Sequence, residues 1–168
     1  MIRDALGWVE WARPAPGELA TLRRVLLQIV YAIALVFGTV FIHAACTVFV
    51  LGRLHSVAAH HWALRSSLTR ASVLGALVLL MSAAACLESM LWTGLYVMVG
   101  ALSTMSEALY FSLVTFTTLG YGDLTLNEQW RMLGAFQAAN GILMFGWTTA
   151  LIVAVAQRVF LHRGEHGE

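Results

Sequence analysis

The chain has 168 residues, 60% of them hydrophobic and 11% charged, with a formal net charge of +1. A soluble domain of this size cannot hide so much apolar surface, so the long uncharged runs mark an integral membrane protein. The near-neutral charge gives no reason to expect a nucleic-acid partner.

Residues 1–20 carry Arg3, Asp4, Glu10, Arg13 and Glu18 together with Pro14 and Pro16, and no cleavable signal peptide is apparent. Ile2, Leu6 and Val9 share a face in residues 1–13, beside Trp8 and Trp11, so this stretch reads as an interfacial segment. Residues 21–51 are apolar and long enough to form a first transmembrane helix. Residues 52–70 turn polar, with Arg53, Arg65, Arg70, His55, His60 and His61, and read as a loop. A second spanning helix is expected over 71–100, interrupted by Glu88. A third is expected over 131–161, followed by a short tail, 162–168. The two cysteines, Cys46 and Cys86, lie inside apolar runs, as buried thiols do, rather than in a disulfide or metal pattern.

Between the second and third runs lies a short helical pattern over 103–117. Ser103 or Thr104 can cap it, with Ser106 or Glu107 three residues on, as in a capping box. It is too short to cross a bilayer and is therefore expected to be re-entrant, its following loop buried in protein or lining a water-filled cavity. The fold class expected is an all-α membrane protein of three transmembrane helices plus a re-entrant pore helix and a filter loop over 118–123.

That loop reads Thr118-Leu119-Gly120-Tyr121-Gly122-Asp123. Glycines at alternate positions let the backbone adopt φ > 0, so that successive carbonyls can face one way and replace the water shell of an ion. The hexapeptide resembles the selectivity-filter signature of the potassium channel family, usually T-V-G-Y-G-D, with Leu119 in place of valine. The specific resemblance covers about residues 103–160 and is to small prokaryotic ion channels with a two-helix pore unit.

The resemblance implies a homotetrameric, K⁺-selective pore in the cell membrane, its partners being three further copies of the chain and membrane lipids. No cofactor is implied beyond K⁺ ions bound at Thr118, Leu119, Gly120 and Tyr121. Gly122 would shape the outer mouth and Asp123 concentrate cations there. The side chains of Leu119 and Tyr121 would point away from the ion, the Tyr121 ring propping the loop against the pore helix. Tyr110 and Phe111 occupy the family's paired aromatic positions, and a Tyr110 hydroxyl would reach Asp123. Val114 falls where some such channels carry a buried glutamate; with Thr117 it belongs to the filter support. In the last helix Gly141 matches a hinge glycine, and Gly146 offers a second flexible point. Ile142, Phe145 and Thr149 recur at helical spacing as cavity-facing residues, with Asn140 at mid-membrane depth, and Ile152, Val153 and Ala156 are candidates for a cytoplasmic constriction.

In this family the filter aspartate faces outward and the last helix ends in the cytoplasm. Applied here, the 52–70 loop and the C-terminus lie inside, in keeping with the loop's arginines, and the N-terminus lies outside, against the pull of Arg3, Arg13, Arg23 and Arg24. Counting about 1.5 Å per residue from Thr69 puts Glu88 roughly 28 Å along its helix, near the outer boundary with Trp92 as an interfacial aromatic. On that count His43 lies towards the opposite side and does not pair with it. His55, His60 and His61 read as solvated loop residues. No regular Arg series marks a voltage sensor, and the tail is too short for a C-terminal ligand-binding domain. Rival readings are a weakly selective cation channel, a potassium-transporter subunit and a non-conducting membrane scaffold or receptor; an enzyme is not expected, for want of a nucleophile–base constellation.

Overall fold

The structure, a computed structural model, describes residues 17–58 and 66–161. Among them are four helices and no strand: α1 (Glu18–Ala58), α2 (Ser67–Met98), α3 (Met105–Phe116) and α4 (Arg131–Leu161). Stretches of α1 (Glu18–Leu54), α2 (Ser67–Met98) and α4 (Arg131–Val159) are long and apolar enough to cross a membrane. The segment expected at the interface lies, up to residue 16, outside the described residues, as do His60, His61 and the tail.

The polar stretch 52–70 is not a loop throughout. Helix α1 continues to Ala58 and α2 begins at Ser67, capped by the Ser66 side chain, which accepts from Leu68 N. Polarity does not end a helix; Arg53 and His55 are tolerated in its last turns, and Leu54 keeps that end buried against the bundle. Thr104 is the N-cap of α3, its hydroxyl accepting from Glu107 N at 3.2 Å.

Contacts fix the directions of the helices. Gly38 of α1 lies against Leu91 of α2, and His43 against Glu88, so these two run antiparallel. Thr39 meets Asn140 and His43 meets Thr148, so α1 and α4 run parallel. Helix α3 descends beside α4, with Phe111 near Gly134, Ser112 on Gln137 and Phe116 on Gly141. The chain then reverses, because Asp123 returns to the level of Tyr110.

Two apolar clusters hold the bundle. One gathers Ala32, Trp92, Leu95, Tyr96, Phe111, Phe116, Leu133 and Met144 around α3. The other joins Leu54, Leu77 and Met81 to Leu151, Val155 and Val159. Trp92 therefore sits in the core, fully buried, and not at an interface with its ring exposed.

Gly141 acts at this contact as a spacer. A Cβ there would collide with the carbonyl oxygen of Phe116 and stand 2.8 Å from its carbonyl carbon, both backbone atoms that cannot swing aside. A Cβ at Gly146 would meet nothing within 4 Å. Gly141→Ala is therefore expected to lower stability by about 1–3 kcal/mol, the usual cost of overpacking. Gly146→Ala should leave stability unchanged or raise it slightly. Thermal unfolding of the two purified variants in detergent distinguishes them, and equal melting would refute the spacer role.

Candidate functional site

Helix α3 is suspended between α2 and α4 by a buried polar network. The Ser112 hydroxyl donates to the Ser89 carbonyl at 2.6 Å. Gln137 Nε2 donates to the Ser112 hydroxyl at 2.6 Å and to its carbonyl at 3.2 Å. The Tyr96 hydroxyl closes the network on Gln137 Oε1 at 2.7 Å. Phe111, buried on the same helix, meets the Tyr96 ring edge-on with centroids 5.2 Å apart.

The last turn of α3 shapes the loop that follows. Thr118 N donates to Thr115 O, while Leu119 N and Gly120 N both donate to Val114 O, at 3.0 and 3.3 Å. Val114 thus supports the loop through its carbonyl. The Thr117 hydroxyl folds back onto Leu113 O at 2.7 Å. From there φ is positive at alternate positions: 59° at Thr118, 55° at Gly120 and 79° at Gly122. Thr118 is a β-branched residue in a region that such residues avoid, and strain of this kind gathers at functional sites. Among the described residues the carbonyls of 118–122 accept no hydrogen bond.

At the loop's far end the Tyr110 hydroxyl donates to Asp123 Oδ2 at 2.6 Å, and Asp123 Oδ1 accepts from Leu124 N at 3.1 Å. The bond to Asp123, more than burial or neighbouring charge, holds the Tyr110 phenol above its ordinary range. The phenol's raised value keeps it protonated, and the bond intact, until strongly alkaline pH.

Leu119 and Tyr121 are 55% and 67% exposed in the single chain. The Tyr121 ring, which the sequence reading set against α3, is thus mostly uncovered in the single chain. Ile142 and Phe145 are 61% and 40% exposed, and Thr149 is exposed as well. The Phe145 ring meets that of Phe116 at 5.9 Å, so this face of α4 adjoins the start of the loop.

Asn140, for which the sequence leaves a cavity-facing position and a bond to a neighbouring helix both open, takes the second: it is buried against α1, its Nδ2 donating to the Thr39 hydroxyl at 2.9 Å. One feature departs from expectation. His43 and Glu88, expected to lie apart, form a pair, with Nδ1 of His43 donating to Glu88 Oε1 at 2.9 Å. Nε2 of the same ring lies 3.1 Å from the Thr148 hydroxyl, so the imidazole bridges α2 and α4. Glu88 is wholly buried rather than interfacial, and its Oε2 has no partner. Counting along each span separately misplaced the pair, because α1 is the longer helix and its register against α2 is set by packing.

The family model described as "Ion channel" matches residues 73–158, which contain α3, the loop and most of α2 and α4. The chain belongs to this ion channel family. No curated protein and no solved structure matches it. Within the channel, α1 lies before the matched region, so its bonds to Glu88, Asn140 and Thr148 attach an additional helix to the family's two-helix unit.

The buried pair in this channel has a measurable consequence. Glu88→Ala removes the partner of His43 inside the bundle and is expected to cost about 1–3 kcal/mol for the donor left unpaired, with the cost of the cavity added. Glu88→Gln keeps an acceptor for Nδ1 and should cost only about 1 kcal/mol. Chemical denaturation in micelles resolves the two, and equal losses would contradict the hydrogen bond.

Proposed function

We propose that the chain is a potassium-selective channel that conducts K⁺ passively across the cell membrane as a homotetramer. The observation carrying this reading is the loop 118–122, where φ alternates in sign and the carbonyls accept no hydrogen bond among the described residues. Alternation turns successive peptide planes so that their oxygens can line one side. Carbonyls at membrane depth need a partner, and a dehydrated monovalent cation supplies one at Thr118, Leu119, Gly120 and Tyr121.

Helix α3 is the pore helix. Its 12 residues span only about 18 Å, too short to cross a bilayer, and the chain doubles back beside it. Its C-terminal end carries partial negative charge and favours a cation beneath the filter. The motif Thr118-Leu119-Gly120-Tyr121-Gly122-Asp123 retains both glycines and the tyrosine, which favours K⁺ over weak selectivity. Leu119 changes the packing behind the filter, but the ion touches carbonyls rather than that side chain.

One loop cannot surround an ion, and four copies about an axis can. Such an assembly accounts for the exposure of Leu119, Tyr121, Ile142 and Phe145, which would face neighbouring copies or the central cavity. Gly122 and Asp123 form the outer mouth, with Asp123 held by Tyr110. In this orientation the N-terminal end of α1, beside residues 127–131, lies outside, and the end of α4 lies in the cytoplasm.

Purified protein in liposomes should pass K⁺ in marked preference to Na⁺. Equal fluxes would replace this reading with a weakly selective cation channel, and no flux under any condition would favour a scaffold. Gly120→Ala should abolish K⁺ flux while the protein still inserts. Nothing lies within 4 Å of a Cβ at that position, so the defect would come from the φ of 55° alone. Wild-type flux in that variant would reject the filter assignment.

A further inference from the structure

Gln137 is a primary amide inside a spanning helix, wholly buried, where an apolar side chain would be cheaper to place. Both polar ends of its side chain are used. Its Nε2 donates to the hydroxyl and to the carbonyl of Ser112 on α3, and its Oε1 accepts from the Tyr96 hydroxyl of α2. Ser112 and Tyr96 are wholly buried as well, so bulk water does not compete for these bonds.

Two contacts, one turn apart on α4, fix α3. At Gly141 the Phe116 backbone closes on α4, which sets the distance between the helices. At Gln137 two bonds reach a single residue of α3, and directional bonds of this kind set its rotation about its own axis. A turn of about 20° would carry backbone atoms, about 2.3 Å from that axis, by roughly 0.8 Å. Functional groups need to be held within about 0.5 Å. The displacement passes to the loop, because Val114, two residues beyond Ser112, accepts from both Leu119 N and Gly120 N through its carbonyl. Apolar packing in place of the amide is non-directional and would resist such a turn less.

We infer, on the strength of the potassium-channel reading above, that Gln137 is a positioning residue for ion discrimination: through Ser112 it fixes the rotation of α3, and with it the spacing of the loop carbonyls. K⁺ and Na⁺ carry the same charge and differ in size. A loop that prefers K⁺ must therefore hold its oxygens apart against the pull of the smaller ion. The loop's amides are anchored on Val114 and Thr115, and these are held no more firmly than α3 itself.

Reversal potentials of the full chain in planar bilayers, with K⁺ on one side and Na⁺ on the other, give a permeability ratio independent of how many channels are folded. Gln137→Met nearly keeps the size of the side chain and removes its bonds to Ser112 and Tyr96. It should raise Na⁺ permeability relative to K⁺ by about fivefold or more, the value of one hydrogen bond lost from positioning. Tyr96→Phe leaves the amide both bonds to Ser112, so it should raise the ratio by a smaller factor, and it carries the test where Gln137→Met does not insert. Leu77→Ala, in the second apolar cluster, loosens the bundle away from α3 and should lower the melting temperature with the ratio unchanged. Melting in detergent in KCl against NaCl is a readout free of flux: K⁺ should stabilise the wild type more than Na⁺ does, and the difference should shrink in Gln137→Met. In a protein whose wild type is K⁺-selective, an unchanged ratio in Gln137→Met, or in Tyr96→Phe where the former does not insert, would make the amide a structural tie only and overturn the assignment alone. A shift of the same size in Leu77→Ala would overturn it too, as general loosening. Equal permeabilities in the wild type would instead remove the potassium-channel reading, and this role with it.

Discussion

The structure depends on the hydrogen bonds that suspend α3 from its two long neighbours. Ser112 is the hub: its hydroxyl reaches α2 at Ser89, and it accepts from Gln137 of α4, which Tyr96 of α2 holds in place. In a region without water each of these groups would be expensive to leave unpaired, so the network admits few alternative arrangements. A short helix has little propensity to persist alone. Its position is therefore a property of the bundle rather than of its own sequence.

That position passes directly to the loop. The amides of Thr118, Leu119 and Gly120 are bound to the carbonyls of Thr115 and Val114, which belong to the last turns of α3. At the other end Tyr110, on the same helix, holds Asp123. The loop is thus fastened to α3 at both ends, and its intervening carbonyls are left without internal partners. Gly141 sets the depth of the arrangement by letting the Phe116 backbone lie against α4 where any side chain would push it away. The residue read from sequence as a hinge is explained by close approach.

The loop was legible in the sequence because its determinants are local: two glycines, their spacing and the aspartate beside them. The long helices were legible as apolar runs, for the same reason. Relations between helices were not. The end of α1 was missed because Arg53 and His55 resemble loop residues, although nothing in 52–58 breaks a helix. The His43–Glu88 pair was missed because relative register is decided by packing, and Trp92 was misplaced by the same count. A usable signal was nevertheless present. Thr39, His43, Glu88, Asn140 and Thr148 are polar residues inside apolar runs, and each must find a partner there. Matching them to one another would have given the α1–α2 and α1–α4 registers.

Those matched residues bear on how α4 is held. Helix α1 is joined to α4 at two levels, Thr39 with Asn140 and His43 with Thr148, and His43 is joined in turn to α2 through Glu88. The Trp147 ring packs 5.4 Å from the imidazole and fills the space beside it. Bending of α4 beyond Gly146 would have to carry α1 along or break the bond at Thr148. Asn140, nearer the Phe116 contact, is held at a level where α4 is already fixed by α3. The part of α4 beside the loop 118–122 is therefore braced on two sides, by α3 and α1. The part beyond Thr148 is braced chiefly by the apolar contacts of Leu151, Val155 and Val159 with Leu54, Leu77 and Met81. Apolar contacts are non-directional and allow sliding, whereas the paired imidazole does not. The two halves of α4 are thus held by different kinds of contact, directional hydrogen bonds as far as Thr148 and non-directional apolar surfaces beyond it.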